Sequence, residues 1–257
     1  MNVWGYRGSV MNQKAPREIR IAMVGGDLAY GWGVAAVETL PYFLRFLLSL
    51  DVRHTEPPIA VTAVNLSARG MDAGEIPPWL DRFAYLRPDI VCVLPDAASH
   101  VPHRDRFLPD RRSRVFNTFG YSPILPLVVQ EKASMTGSSA LAVAGTALEK
   151  LDPLGGNVPA PPAGDRTQAI SAAVQAALRA AAIGVVLILP PDDRVPAAVA
   201  IADPRVRIVD LAQVPAMHDP ALRLDGYHFS VAGHSRAADA VAPAVIDLVH
   251  AGREGRR

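Results

Sequence analysis

The chain has 257 residues, of which 50% are hydrophobic and 20% charged, with a formal net charge of +1. That is enough apolar material for one large α/β core, and it argues against disorder. The near-zero charge excludes a global electrostatic pull toward nucleic acid or an anionic membrane, so the arginine-rich stretches 104–114 and 253–257 read as local loop and tail. Cys92 is the single cysteine, so an internal disulfide is impossible. The first 18 residues, MNVWGYRGSVMNQKAPRE, hold no apolar stretch of signal-peptide length, and no run reaches the roughly 18 apolar residues that span a bilayer. The expectation is a cytoplasmic protein with no membrane span.

Short β-branched runs alternate with helical patterns along the chain. Residues 19–24 (IRIAMV) read as a first strand, after an N-terminal tail over 1–18. Residues 39–50 space leucine and phenylalanine as a helix does. A second strand is expected at 59–65 (IAVTAVN) and a third at 90–94 (IVCVL). An insertion over 101–164 follows, rich in Pro and Gly, which reads as a lid over the site or as surface decoration. An alanine-rich helix at 167–182, strands at 185–189 (VVLIL) and 206–210 (VRIVD), and a last helix at 231–250 complete the pattern, with Ser230 as its N-cap.

Strands that are apolar throughout are buried on both faces, as in a parallel sheet covered by helices. The fold class is therefore α/β: a three-layer α/β/α sandwich on a parallel sheet of about five strands, in one domain spanning 1–257. In such sheets ligands bind at the carboxyl ends of the strands. The segments just after Val24, Asn65 and Leu94 are where chemistry belongs.

The first of these segments ends a strand in two glycines, Gly25 and Gly26, followed by Asp27. The glycines let the backbone turn sharply, so the next side chain projects from the sheet's edge and its amide faces whatever binds there. The glycine run fits neither the dinucleotide fingerprint nor the Walker phosphate loop, and no cofactor is expected. Near the C-terminus, LDGYHFSVAGHS places Asp225 three residues before His228 and a glycine, Gly233, at the start of a helix. This spacing lets a carboxylate hold one imidazole nitrogen while the other faces a reacting group.

Together these blocks resemble the SGNH (GDSL-type) hydrolases. RIAMVGGDLAYGWGVAAVETLP resembles their first block, with Gly25 and Gly26 on the glycines and Tyr30, Gly31, Trp32 and Gly33 on the following turn. Asp27 falls where that family carries its nucleophilic serine. Asp225 and His228 match the acid and base of the last block. The resemblance implies that Gly70, in NLSARG, offers an oxyanion amide. In the third block, PDIVCVLPDAAS, no Asn is present and Ser99 stands near its place. The segment 112–132 resembles a stretch found after the third block in one subgroup. The resemblance thus implies Asp27, His228 and Asp225 as catalytic residues. Gly26, Gly70, Ser99, Tyr30 and Trp32 would form the oxyanion hole and substrate site.

A carboxylate needs no base to ionise near neutral pH, and its attack on an ester would give a high-energy anhydride. Carboxylate nucleophiles suit saturated carbons with a leaving group. Asp27 and His228 also form a plausible proton-transfer pair. Three readings stay open: an enzyme of repurposed chemistry on a small organic or acyl substrate, an inactive domain that binds a ligand or partner, and a hydrolase or acyltransferase whose nucleophile is displaced, for instance to Ser67 or Ser99. His100, His103 and Asp105, with Asp96 near, match no metal-ligand spacing and read as loop polarity. Tyr121 is a candidate for reaching the site from the insertion, and His234 reads as a helix-surface residue.

Overall fold

The computed structural model describes residues 2, 5–95, 129, 132–133, 136–151, 165–191 and 201–254. In chain order these form β1 (Glu18–Gly25), α1 (Asp27–Tyr30), α2 (Leu40–Val52), β2 (Ala60–Asn65), α3 (Ile76–Arg82) and β3 (Ile90–Leu94). Then follow α4 (Ser139–Leu151), α5 (Arg166–Ala180), β4 (Gly184–Leu189), β5 (Val206–Asp210) and α6 (Val231–Glu254). The strands pair in parallel in the order β2-β1-β3-β4-β5.

Alternate residues of β1 feed two separate cores, as the two-residue period of a strand requires. Ile21 and Met23 pack with Leu40, Leu44 and Leu48 of α2 and with Val241, Val245 and Val249 of α6. Ala22 and Val24 pack with Ile76 and Leu80 of α3 and with Ile170, Val174 and Ala177 of α5. The result is the expected α/β/α sandwich. Burial on both faces holds for β3 throughout and for nearly all of β1 and β4. The outer strands β2 and β5 are partly open, with Ile208 47% exposed.

The chain leaves β1 for β2 on one side and then crosses to β3 on the other. The order reverses at β1, so the crevice of a doubly wound sheet lies at its carboxyl end. That end is Gly25, two residues before Asp27.

The N-terminal stretch differs from a loose tail. Tyr6 and Arg7 are only 1% and 3% exposed, and Arg7 forms an antiparallel bridge with Asn65 at the end of β2. The Tyr6 ring packs edge-on against Phe83 at 5.7 Å, so an aromatic residue with a partner in the core pulls the segment in. Most of the 101–164 insertion lies outside the described residues; α4 falls within it. Among the described residues no helix is long and apolar enough to cross a membrane.

Candidate active site

β1 ends in a contact that only glycine permits. A Cβ on Gly25 would stand 2.1 Å from the Leu94 carbonyl oxygen, so any other residue would push β1 and β3 apart. The chain then makes the single turn α1, with Gly26 at its N-cap accepting from the Tyr30 N–H at 2.8 Å. Gly31 closes the turn in the left-handed region at φ +79°. Asp27, the first residue of α1, is 3% exposed.

Two side chains clamp this turn from behind. Asn65, at the end of β2, donates to the carbonyls of Ala29 at 3.0 Å and Tyr30 at 3.3 Å. Arg7 donates to the carbonyls of Tyr30 at 2.8 Å, Gly31 at 2.7 Å, and Val34. Its guanidinium lies 4.4 Å from the Tyr30 ring centroid. These bonds satisfy carbonyls that a one-turn helix leaves without internal partners. Tyr30, expected at the substrate site, is 1% exposed and packs the turn.

Trp32 is half-buried and carries the Arg69 guanidinium at 3.6 Å from its ring centroid. Arg69 Nε in turn stands 3.5 Å from Asp27 Oδ1, with the two side chains 11% and 3% exposed. The two form an ion pair, and Oδ1 has no hydrogen-bond partner among the described residues. Gly70 adopts φ +64°, and its backbone N–H donates toward the Asp27 carboxylate. The amide expected to serve a substrate oxyanion therefore faces the protein's own carboxylate. Burial pushes the Asp27 carboxyl above its ordinary range; Arg69, His228 and the Gly70 amide pull it back without cancelling the shift.

Asp225 and His228 lie on the loop before α6. The Asp225 Oδ1 accepts from the His228 N–H at 2.9 Å and the Tyr227 N–H at 3.3 Å, a turn that fixes the loop. Asp225 Oδ2 lies 2.7 Å from His228 Nδ1. Burial raises the Asp225 carboxyl, but the bonds from the His228 ring and from the loop amides outweigh it and hold the carboxyl below its ordinary value. With Nδ1 engaged by Asp225, the second ring nitrogen, Nε2, is the one left to meet another group. Nε2 is buried and has no hydrogen-bond partner among the described residues. His228 and Asp27 are close enough for the His228 charge to bear on Asp27, yet no hydrogen bond joins them. Two buried polar atoms, Nε2 and Oδ1, are thus left for a third group.

Ser230 caps α6 as expected, accepting from the Gly233 N–H at 3.2 Å. His234 does not lie on the helix surface: it is 0% exposed. Its Nδ1 accepts from the Leu40 N–H at 3.3 Å and so caps α2, whose preceding residue Thr39 supplies no side-chain cap. Burial, with the charges of Arg7 and His228 beside it, pushes its pKa down to about 3. The α6 spacing that exposes one face turns position 234 inward.

Ser67 is 0% exposed, and its Oγ has no hydrogen-bond partner among the described residues. Burial pushes the Cys92 thiol up to about 12, which removes it as a nucleophile. Ser99 lies outside the described residues, as do Asp96, His100, His103, Asp105 and Tyr121. Among the described residues no cluster of three or more His, Cys, Asp or Glu is placed to hold a metal ion. Arg69, Arg7 and Asn65 escape sequence reasoning. Arg69 alone leaves a signal there, a charge one residue before the glycine that follows the second strand.

No family model matches the chain, and no curated protein matches it. Among solved structures the chain is similar to TesA, at 16% identity over 89% of this chain and 99% of that one, with a TM-score of 0.49. It is similar to a two-domain esterase (CEX) active on acetylated mannans, at 10% identity over 90% of this chain and 50% of that one, with a TM-score of 0.48. It is also similar to the psychrotrophic esterase EstA from Pseudoalteromonas sp., at 12% identity over 92% and 97%, with a TM-score of 0.42. At this level of likeness the neighbours lend nothing to an assignment of activity, which rests on the side chains described above.

Proposed function

We propose that the chain is an SGNH-hydrolase-like enzyme with altered chemistry, acting on a small organic or acyl substrate through Asp27 with the His228–Asp225 pair. One observation carries this reading. His228 is oriented by Asp225 at 2.7 Å and presents a buried Nε2, without a partner among the described residues, within electrostatic reach of a buried carboxylate. Such an arrangement costs free energy through desolvation and unmade hydrogen bonds, of order 1–3 kcal/mol for each buried polar atom. A site that moves protons or forms a bond gives that cost a use.

A second reading is a domain that binds a ligand without turnover. The Gly70 amide turned toward Asp27 favours it, because the carboxylate then fills a position that a substrate oxygen would otherwise take.

Incubation of the wild-type protein, Asp27→Asn and His228→Ala with a bacterial metabolite extract, followed by mass spectrometry, separates the two. The enzyme reading expects a compound that the wild type consumes and both variants leave intact. A compound retained by all three and consumed by none supports binding instead.

A further inference from the structure

The position of the Gly70 amide selects among the reactions open to Asp27. In a serine hydrolase an oxyanion donor serves the substrate's carbonyl. Here the donor faces the enzyme's own carboxyl group, and Arg69 Nε stands 3.5 Å from its Oδ1. Positive groups placed on a carboxylate oxygen stabilise charge that develops on that oxygen. Charge develops there when the carboxyl carbon itself is attacked, which requires that Asp27 first become an ester.

We propose that Asp27 is alkylated by substrates with an electrophilic saturated carbon, an epoxide or an alkyl halide. The Gly70 amide then serves the acyl oxygen of the enzyme's own ester during hydrolysis, and the Arg69 charge beside Oδ1 supports the same carboxyl group. This rests on the reading of Asp27 and His228 as an active pair and specifies what the pair does.

The steps balance. One Asp27 oxygen attacks the saturated carbon while the bond to the leaving group breaks. The electron pair departs with the halide, or stays on the epoxide oxygen, which takes a proton from water. A second water then attacks Cγ of Asp27 and gives its proton to His228 Nε2, whose Nδ1–H is held by Asp225 at 2.7 Å. The tetrahedral oxyanion forms on the carboxyl oxygen that the Gly70 amide faces, with the Arg69 charge beside the same carboxyl group. Its collapse expels the alkyl oxygen, which recovers the proton from His228 and leaves as the alcohol or diol. Asp27 is released as the carboxylic acid carrying one oxygen from water. It returns to the carboxylate by giving its remaining proton to solvent, where that proton accompanies the halide or neutralises the hydroxide left by protonation of the epoxide oxygen.

Trp32 has a part in this. Its ring face carries the Arg69 guanidinium at 3.6 Å, which holds the cation beside Oδ1. Trp32 is thus a positioning residue that acts through Arg69.

The test uses the full chain with two small probes, 1,2-epoxypropane and bromoethane. Wild type and His228→Gln are treated with each in water enriched in the heavy oxygen isotope, digested, and the peptide bearing Asp27 is weighed. The expected result is an ester on Asp27 that accumulates in His228→Gln. In the wild type no adduct should remain, and the Asp27 carboxylate should carry heavy oxygen. Asp27 left unmodified in both proteins by both probes, while exposed carboxylates react, overturns the proposal. An ester that persists equally in both proteins also overturns it, since His228 would then not drive attack at Cγ. If the proposal falls but the metabolite screen still finds turnover that needs Asp27 and His228, the pair works by proton transfer. If neither experiment finds reaction, the enzyme reading falls as well.

Discussion

Lowering the pH titrates His234 in the unfolded chain long before it does so in the folded one. The ring is 0% exposed and its pKa is pushed down to about 3, against an ordinary value near 6.5. A histidine with a depressed folded-state pKa contributes no loss of stability above about pH 6.5, because both states are neutral there. As the pH falls through the window from about 6.5 to about 3, the unfolded chain takes up a proton that the folded chain refuses, and stability drops. Between pH 7 and pH 5 the linkage amounts to about 2 kcal/mol. Asp27, raised by burial, works in the opposite sense, gaining relative stability as the pH falls from its raised value toward the ordinary one. A comparison of wild type with His234→Gln cancels that and every other titration. The substitution keeps an acceptor for the Leu40 N–H, so it should cost no more than the roughly 1 kcal/mol of a lost helix cap at pH 7. Urea unfolding of both proteins at pH 7 and pH 5 gives the four free energies needed. The wild type should lose about 2 kcal/mol more than the variant over that interval. Equal losses in the two proteins would refute the placement of a neutral, buried imidazole at position 234.

Asp27→Ser puts a hydroxyl on the same turn and frees the Gly70 amide. A fluorophosphonate probe should then label position 27 in that variant, not in wild type, and not when His228→Ala is added; absence of label in Asp27→Ser would mean that Nε2 cannot serve position 27. Gly25→Ala forces a Cβ to 2.1 Å from the Leu94 carbonyl oxygen, so the variant should lose at least about 2 kcal/mol by urea unfolding. A midpoint within error of wild type would show that β1 and β3 separate without cost. Arg7→Met removes donors to the carbonyls of Tyr30, Gly31 and Val34. Charged hydrogen bonds of this kind contribute about 1.5–3 kcal/mol each, so thermal unfolding should move to clearly lower temperature. An unchanged transition would show that the N-terminal segment is not part of the turn's support.

What the sequence made legible is what repeats or is local. The five strands show because β-branched runs such as IVCVL have no competing helical period, and the parallel sheet follows from the two-faced burial of the central strands β1, β3 and β4. Asp27 and the Asp225–His228 pair are legible because glycines fix one turn and a three-residue spacing fixes the other. What stayed hidden depends on contacts across the chain. Arg7 looked like part of a tail because nothing local says that its guanidinium will cap a turn 23 residues on. His234 looked exposed because its helix is amphipathic, and only the arrival of α2 supplies the Leu40 N–H that draws the ring inward. Arg69 is a surface residue by type; the Trp32 face and the Asp27 charge draw it largely out of solvent.

These hidden contacts converge on one carboxylate. Arg7 and Asn65 hold the carbonyl end of α1, Gly25 lets β3 approach beneath it, and His234 ties the following helix to α6. A carboxylate 3% exposed loses several kcal/mol of hydration even when partly compensated, and Asp27 remains raised despite Arg69 and Gly70. An asparagine or an alanine at position 27 would fit the turn without that cost. A turn braced from three sides around an uncomfortable charge makes sense where the charge itself reacts. It makes far less sense where the side chain only fills space. That asymmetry is why replacing Asp27 by Asn should stabilise the fold while abolishing turnover. A variant that is both less stable and still active would remove the reason for reading Asp27 as the reacting group.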